Sequence, residues 1–565
     1  MHPTGGPYHG VVASTRFTDR AVSRALRLPA PTTGYVVHRG LRVPMRDGVE
    51  LVADHYAPVA TVAKGTILVR GPYGRTFPFS LIYARIYAAR GYHVLFQSVR
   101  GTFGSGGTFV PMVHEAADAA DTVIWLRGQP WFTGTFATIG LSYLGFTQWA
   151  LLADPPPELV AAVVAVGPHD LHTSTWGTGA FALTDFLGWA DMMAHQEQGP
   201  LKRVAYQLKA RRRMDRAVRG VPLGEAGRAL LGEHSPWYET WLAHPERDDR
   251  FWAPMTMSAA LDRCTVPVLL LTGWQDVFLD QTISQYRRLR DRGVDVALTI
   301  GPWTHDQIVT RATGSTVAET LGWLGSHLAG ESSPGESTPG KSPPARTTPV
   351  RAHITGRDAW TNMPDWPVVG SEHAMHLQPG GRLGAAAAPV GSRAATFRYN
   401  PADPTPTIGG RLLSRHGGYR DDTELSGRTD VLTFTSALLE TELTVYGNPV
   451  VEVDHSSDNP HFDVFVRVSE VDAVGRSRNV SDGFRRFSAE STAPIRLTLD
   501  PIAHRFSAGC RIRVLIAGGS HPRFARNLGT GEPDLTGRRM VAATHTVRYG
   551  TASRLILPVA DRSVN

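Results

Sequence analysis

The chain has 565 residues, 42% hydrophobic and 19% charged, with a formal net charge of +7 and a pI near 9.5. That balance excludes a disordered or fibrous chain and leaves room for two or three domains, each with its own core. Two cysteines, Cys264 and Cys510, exclude a disulfide framework or a cysteine zinc site, and no apolar run approaches the ~18 residues of a membrane span.

The positive charge is almost all arginine, since the lysines are Lys64, Lys202, Lys209 and Lys341. This bias reflects a GC-rich genome rather than nucleic-acid binding. The densest cluster, Arg211 to Arg213, shares a helical pattern with Met214 and Ala217 and reads as a solvated helix face. Met1 to Gly10 lacks the basic start and apolar run of a secretory leader, so a cytoplasmic protein is expected, with neither a membrane nor a nucleic acid as partner.

Residues 1–34 read as a loosely attached arm. Strand patterns follow at Tyr35 to His38, Leu41 to Pro44 and Val49 to Tyr56, the last two joined through Arg46-Asp47-Gly48, a good hairpin signal. Short apolar runs then recur at Thr66 to Val69, Tyr92 to Gln97, Phe136 to Ile139, Leu159 to Val166, Val266 to Leu271 and Val294 to Ile300. Helical patterns lie between them, at Phe79 to Ala89, Glu115 to Arg127 and Tyr143 to Ala153. Strands buried on both faces and alternating with helices predict an α/β fold with a mostly parallel sheet over 35–170 and 258–330. The alternation breaks at 171–257, which reads as an inserted helical cap. Residues 331–349 are rich in Ser, Pro, Gly and Thr and read as a flexible linker. From 350 to 565 the pattern is all-β, with short runs such as Phe397 to Tyr399, Val431 to Thr435, Val450 to Val453, Phe462 to Val468, Ile495 to Leu499, Ile512 to Ile516 and Thr544 to Tyr549, expected to form a jelly roll.

The chemistry gathers at strand ends. Gly140-Leu141-Ser142-Tyr143-Leu144-Gly145 joins a strand to a helix, the setting of a nucleophile elbow, although its second glycine comes one position late for G-x-S-x-G. Asp276, in Gly273-Trp274-Gln275-Asp276, and His305, in Gly301-Pro302-Trp303-Thr304-His305, each follow a later strand. The order Ser142, Asp276, His305 suits a catalytic triad in an α/β-hydrolase. Serine would be the nucleophile, histidine the proton shuttle and aspartate the group that fixes the imidazole. Asp280 and Asp306 are rivals to Asp276; Asp280 reads rather as a cap or surface carboxylate. Other histidines, such as His93 and His114, read as packing or surface residues. The glycine-rich run Arg100 to Gly107 lacks the Gly-Lys-Ser/Thr ending of a phosphate loop and reads as a structural turn beside the site.

Several separated segments resemble the cocaine-esterase-like (CocE/NonD) hydrolases, relatives of X-prolyl dipeptidyl peptidases and α-amino acid ester hydrolases. They are Met45 to Leu51, Arg70-Gly71-Pro72-Tyr73-Gly74, Val99 to Gly107, Trp131 to Gly134, the three segments around the triad, and, in the second half, Tyr399 to Pro404 and Ser520 to Phe524. The resemblance runs from about Tyr35 to the C-terminus. It implies an α/β-hydrolase core with an inserted cap and a C-terminal jelly roll, and an oxyanion hole made by the Tyr73 hydroxyl and the Tyr143 backbone N–H. It also implies an acyl pocket walled by Trp176, Trp189 and Phe278, although Trp176 and Trp189 suit a cap core equally well. The chain departs from the family at Gly74, where several relatives carry Asp, and in the insertion after Glu331. The sequence displays no acidic cluster of the kind that holds a substrate ammonium in amino-acid ester hydrolases.

The expected activity is hydrolysis of a carboxylic ester with a bulky or aromatic acyl group, through an acyl-enzyme, without metal or organic cofactor. The expected partner is a small-molecule ester, and a homodimer is left open beside the monomer. The competing readings are amide or X-Pro peptide hydrolysis, acyl transfer to another acceptor, and a non-catalytic binding protein.

Overall fold

The computed structural model describes residues 16–330, 346, 348–368, 370–389, 391–488 and 494–559. Ten strands build the first sheet: β1 (Tyr35–Pro44), β2 (Glu50–Pro58), β3 (Gly65–Gly71), β4 (Tyr92–Ser98), β5 (Phe136–Leu141), β6 (Leu159–Ala165), β7 (Val268–Gln275), β8 (Val296–Thr304), β9 (Val350–Ile354) and β10 (Ala359–Met363). Their spatial order is β1-β2-β4-β3-β5-β6-β7-β8-β9-β10. From β4 to β9 every pairing is parallel, and antiparallel strands close both edges. The β1–β2 hairpin turns at Gly48, whose φ of 82° a residue with a Cβ adopts only under strain.

The continuous apolar runs are explained by helices on both faces. Leu68, Leu95, Val268 and Leu270 point into one core with Phe146 and Trp149, whereas Ile67, Val69, Val94, Leu269 and Leu271 point into another with Tyr83, Val317 and Leu324. Neighbouring strand residues thus bury on opposite sides, as the two-residue period demands. Strands β7 and β8 continue beyond the predicted Leu271 and Ile300, because the Gly-Trp segments carry the ladder on. A Cβ at Gly273 would lie 2.2 Å from the Trp303 carbonyl oxygen, so only glycine lets the two strand ends approach so closely. The predicted helix over Phe79 to Ala89 forms with a wider π-type winding over Leu81–Arg85.

Two expectations about boundaries are corrected. The arm is docked from Arg16 onward: Arg16–Ala25 is a helix, and Arg85 pairs with Asp19 at 3.0 Å. Arg90, 4% exposed, donates to Ser23 at 2.9 Å and to the Pro29 carbonyl, so a buried guanidinium draws two of its acceptors from the arm. Residues 1–15 lie outside the described residues. The jelly roll does not begin at 350, because β9 and β10 extend the catalytic sheet, with Val350, Ala352 and Ile354 buried in its core. Most of the expected linker, 331–345 and 347, lies outside the described residues; Arg346 packs on the catalytic domain, bonded to Thr299 at 3.0 Å.

Between β6 and β7 the chain builds the cap from helices Leu171–Trp176, Leu183–His195, Pro200–Arg219, Leu223–Leu231 and Trp237–Ala243. Phe181, Phe186, Trp237, Tyr238 and Trp241 fill its centre. In the arginine cluster, Arg213 donates to the Leu230 carbonyl and lies over the Tyr206 ring, while Arg211 faces Asp215 at 3.9 Å on the exposed side. From Ser371 onward thirteen strands form the jelly-roll domain around Leu377, Phe434, Val466, Ile516 and Leu557. Its strand Ser477–Phe487 escapes a hydrophobicity reading because its inward residues include Asn479, Ser481 and Asp482. Both cysteines are buried free thiols. No helix among the described residues is long and apolar enough to cross a membrane.

Candidate active site

Strand β5 ends at Leu141, and Ser142 turns the chain into the helix Tyr143–Leu152 with φ 55° and ψ −122°. A positive φ at a residue with a Cβ costs about 1–3 kcal/mol and persists only where the surroundings hold it. Here the Ser142 N–H donates to the Ala165 carbonyl at 2.9 Å, and the Ser142 carbonyl accepts from Gly145 and Phe146 at 2.8 and 3.1 Å. The late glycine has a packing role. A Cβ on Gly145 would sit 2.6 Å from the Cα of Gly167, where the chain leaves β6, and one on Gly140 would sit 2.4 Å from the Leu144 Cβ. The two glycines let the helix settle onto the sheet directly behind the serine.

Asp276 and His305 follow β7 and β8 and are brought together by the parallel pairing of those strands. The His305 Nδ1 lies 2.7 Å from Asp276 Oδ1, with Asp276 fully buried and His305 7% exposed. The other Asp276 oxygen accepts from Thr272 Oγ1 at 3.1 Å. An Nδ1–H donated to this carboxylate makes Nε2 the acceptor nitrogen of the ring. Of the rivals, Asp306 is exposed, and Asp280 pairs with Arg411 at 2.6 Å.

Tyr73 stands two residues beyond β3, and its hydroxyl is in hydrogen-bonding reach of Ser142. Trp189 Nε1 donates to the same hydroxyl at 3.1 Å. Burial pushes the phenol up to about 12, only partly offset by those two hydrogen bonds, so it stays a neutral donor at any working pH. Gly74 has φ 82°, and a Cβ there would meet the Phe103 ring at 2.8 Å, so glycine suits this turn. The Tyr143 backbone N–H heads the helix. Its side chain points away into a buried relay: Met112 N–H donates to the Tyr143 hydroxyl at 2.8 Å, the hydroxyl donates to Glu115 at 2.8 Å, and Arg70 pairs with Glu115 at 3.2 Å. Sequence reasoning missed the roles of Arg70 and Glu115. Arg70 stood in a quoted segment, but Glu115 looked like an ordinary acidic residue in a helix's first turn.

The three aromatic residues separate. Trp189 stacks on Tyr143 with ring centroids 6.1 Å apart, besides bonding Tyr73. Phe278 sets its edge against the His305 ring at 5.4 Å. Trp176 instead donates to the Trp241 carbonyl at 3.0 Å and packs on Phe181, within the cap core. A further group was not foreseen: Asp185 in the cap, 2% exposed, accepts from the Leu413 N–H at 2.8 Å. Burial pushes its carboxyl up to about 6, with smaller effects on it from the charges of His305 and Asp276. Behind it Arg411 bridges Asp280 of the catalytic domain and Asp500 of the jelly roll at 2.6 and 2.5 Å. No group of three or more His, Cys, Asp or Glu among the described residues is placed to hold a metal ion.

An α/β-hydrolase sheet with a helical insert, and a serine at its elbow, define the class: a serine hydrolase. The profile of X-Pro dipeptidyl-peptidases (S15 family) matches residues 47–307, and that of the X-Pro dipeptidyl-peptidase C-terminal non-catalytic domain matches 344–556. The cocaine esterase of Rhodococcus sp. (strain MB1 Bresler) is 27% identical over 94% of this chain and 99% of its own. Among solved structures, an aminopeptidase from a marine sediment Thaumarchaeota archaeon superposes with TM-score 0.78 at 22% identity, covering 93% of this chain and 96% of its own. An α-amino acid ester hydrolase gives TM-score 0.76 at 23% identity, with the same coverages. These two likenesses establish the fold. The chain belongs to the CocE/NonD and X-Pro dipeptidyl-peptidase S15 family of α/β-hydrolases.

Proposed function

We propose that the protein hydrolyses carboxylic esters with a bulky or aromatic acyl group through a covalent acyl-enzyme on Ser142. The observation that carries this reading is the buried Asp276–His305 pair at 2.7 Å, on the same sheet edge as a strained serine touched by the Tyr73 hydroxyl. His305 Nε2 takes the Ser142 proton as Oγ attacks the ester carbonyl. The tetrahedral oxyanion is met by the Tyr73 O–H and the Tyr143 N–H, two neutral donors in a dry site. The imidazolium, held by Asp276, gives its proton to the leaving alcohol. Water then enters by the same general-base route and releases the acid. Trp189 and Phe278 border the reacting groups, which favours an aromatic or branched acyl group by area burial and ring packing. Trp176 would shape the pocket from behind, through the cap core.

A second reading, an acyl group bearing an α-amine, is favoured by Asp185, a buried carboxylate within electrostatic reach of the triad. The test is steady-state hydrolysis of p-nitrophenyl acetate and benzoate, α-amino acid esters and amides, and X-Pro p-nitroanilides by wild type and Ser142→Ala. The expected result is preference for the benzoate and loss of turnover in the variant. Full activity of Ser142→Ala sinks the mechanism; preference for the amino-acyl substrates replaces the acyl-group assignment by the second reading.

A further inference from the structure

Beside the triad, on the far side of the ends of β7 and β8, lies a second cavity of about 670 Å³ between the catalytic sheet and the jelly roll. Its size is that of a small-molecule site. Ser142, Asp276, His305 and Tyr73 are not among its lining residues. Its mouth carries four exposed arginines, Arg311, Arg415, Arg420 and Arg478. None is in an ion pair with a carboxylate among the described residues: Arg420 donates to the His416 and Arg415 carbonyls, and Arg478 lies over the Tyr419 ring at 4.8 Å. Two acids of the lining are already engaged, Glu470 with His504 at 3.2 Å and Asp358 with His353 at 3.0 Å, and Asp306 is the third. The guanidinium groups therefore face the opening with unused donors.

The floor has the opposite character. His353 Nδ1 belongs to a residue 5% exposed and lacks a hydrogen-bond partner among the described residues, whereas Gln275, 3% exposed, has the Tyr419 hydroxyl in hydrogen-bonding reach. Burial pulls the His353 imidazole below its ordinary value, so it is neutral. Asp358, facing Nε2, keeps the proton there and leaves Nδ1 as an acceptor. A buried acceptor without a donor costs about 1–3 kcal/mol and calls for a ligand that brings a hydroxyl proton.

We propose that this cavity binds a small hydroxylated organic anion, its phosphate or carboxylate held by the arginines at the mouth and a hydroxyl donating to His353 at the floor. Gln275 adjoins Asp276, and Thr304, also in the wall, adjoins His305, so an occupant bears on the strand ends that carry the triad.

The test is isothermal titration calorimetry of the full-length Ser142→Ala protein with glucose 6-phosphate, gluconate, inorganic phosphate and glucose at low salt. This background makes the result independent of ester hydrolysis. The expected result is saturable binding of glucose 6-phosphate or gluconate, tighter than phosphate or glucose alone, and the winning arm tells phosphate from carboxylate. Arg311→Ala/Arg478→Ala, both surface changes, should weaken it about tenfold or more, and His353→Phe should erase the advantage over inorganic phosphate. Three outcomes overturn the proposal: no saturable heat with either organic anion, undiminished binding in the double arginine variant, or displacement of the anion by an active-site acyl phosphonate on the wild-type protein.

Discussion

Replacing Tyr73 by phenylalanine removes one oxygen and keeps the ring that stacks on Phe79 at 5.6 Å. The lost atom makes two contacts, one with Ser142 and one accepting from Trp189 at 3.1 Å. Their consequences fall on different observables. In the proposed mechanism the Tyr73 hydroxyl serves the oxyanion only once the tetrahedral centre forms, so its loss should lower kcat by ~10²–10³, or about 2.7–4 kcal/mol of transition-state stabilisation. Ground-state binding is untouched, so KM should stay within about threefold. The Trp189 N–H, left without its acceptor, should cost about 1–3 kcal/mol of folding stability, seen in a denaturant melt and not in kcat. Because the phenol is pushed up to about 12, the wild-type rate should have no alkaline inflection from Tyr73 below pH 10. The assay is p-nitrophenyl ester hydrolysis from pH 6 to 10 beside a urea melt. A kcat for Tyr73→Phe within about threefold of wild type would refute the assignment, since one preorganised donor is worth more than that.

Gly145→Ala should lower kcat and destabilise by about 1–3 kcal/mol, because the new methyl meets the Gly167 backbone at 2.6 Å and lifts the elbow helix. Gly188→Ala, with nothing within 4 Å, should leave activity unchanged and be neutral or slightly stabilising, which makes it the control. Arg411→Met should destabilise by about 3–5 kcal/mol in a urea melt, since it strands Asp500, 8% exposed within the jelly roll, and cuts the interdomain pair with Asp280. Asp185 has its carboxyl raised to about 6, so its contribution to stability is fully present below the unfolded value near 3.8 and is lost as pH rises through 6. Asp185→Asn should therefore gain up to about 3 kcal/mol on wild type at pH 7.5 and little at pH 3.5, measured as the difference in urea unfolding free energy. An equal gain at both pH values would show that burial of the charge is not the cause.

The domain interfaces explain why these effects travel. Leu413, from the jelly roll, bonds Asp185 of the cap, while Arg411, two residues earlier, ties the helix that follows Asp276 to Asp500. Arg523 and Arg467 continue the charge chain through Asp482 at 3.0 and 2.7 Å. A buried chain of alternating charges is intolerant of losing one member, because the remaining partner keeps its desolvation cost without its counter-charge.

The sequence by itself determined the α/β sheet, the cap, the β-rich second half and the order of Ser142, Asp276 and His305. Each of these is a local signal: strands buried on both faces write themselves as continuous apolar runs, and an elbow writes itself as glycines around a serine at a strand end. Tertiary structure alone decided partners distant in the chain, such as Trp189 with Tyr73 and Asp185 with Leu413. It also moved Val350–Ile354 into the catalytic sheet and the arm's helix onto Arg85 and Arg90. Hydrogen bonds and ion pairs are satisfied by whichever chain segment packs nearby. A polar residue's sequence neighbours therefore carry no record of its partner, and Trp176 and Trp189 could not be told apart until their indole N–H groups found a cap carbonyl and the Tyr73 phenol.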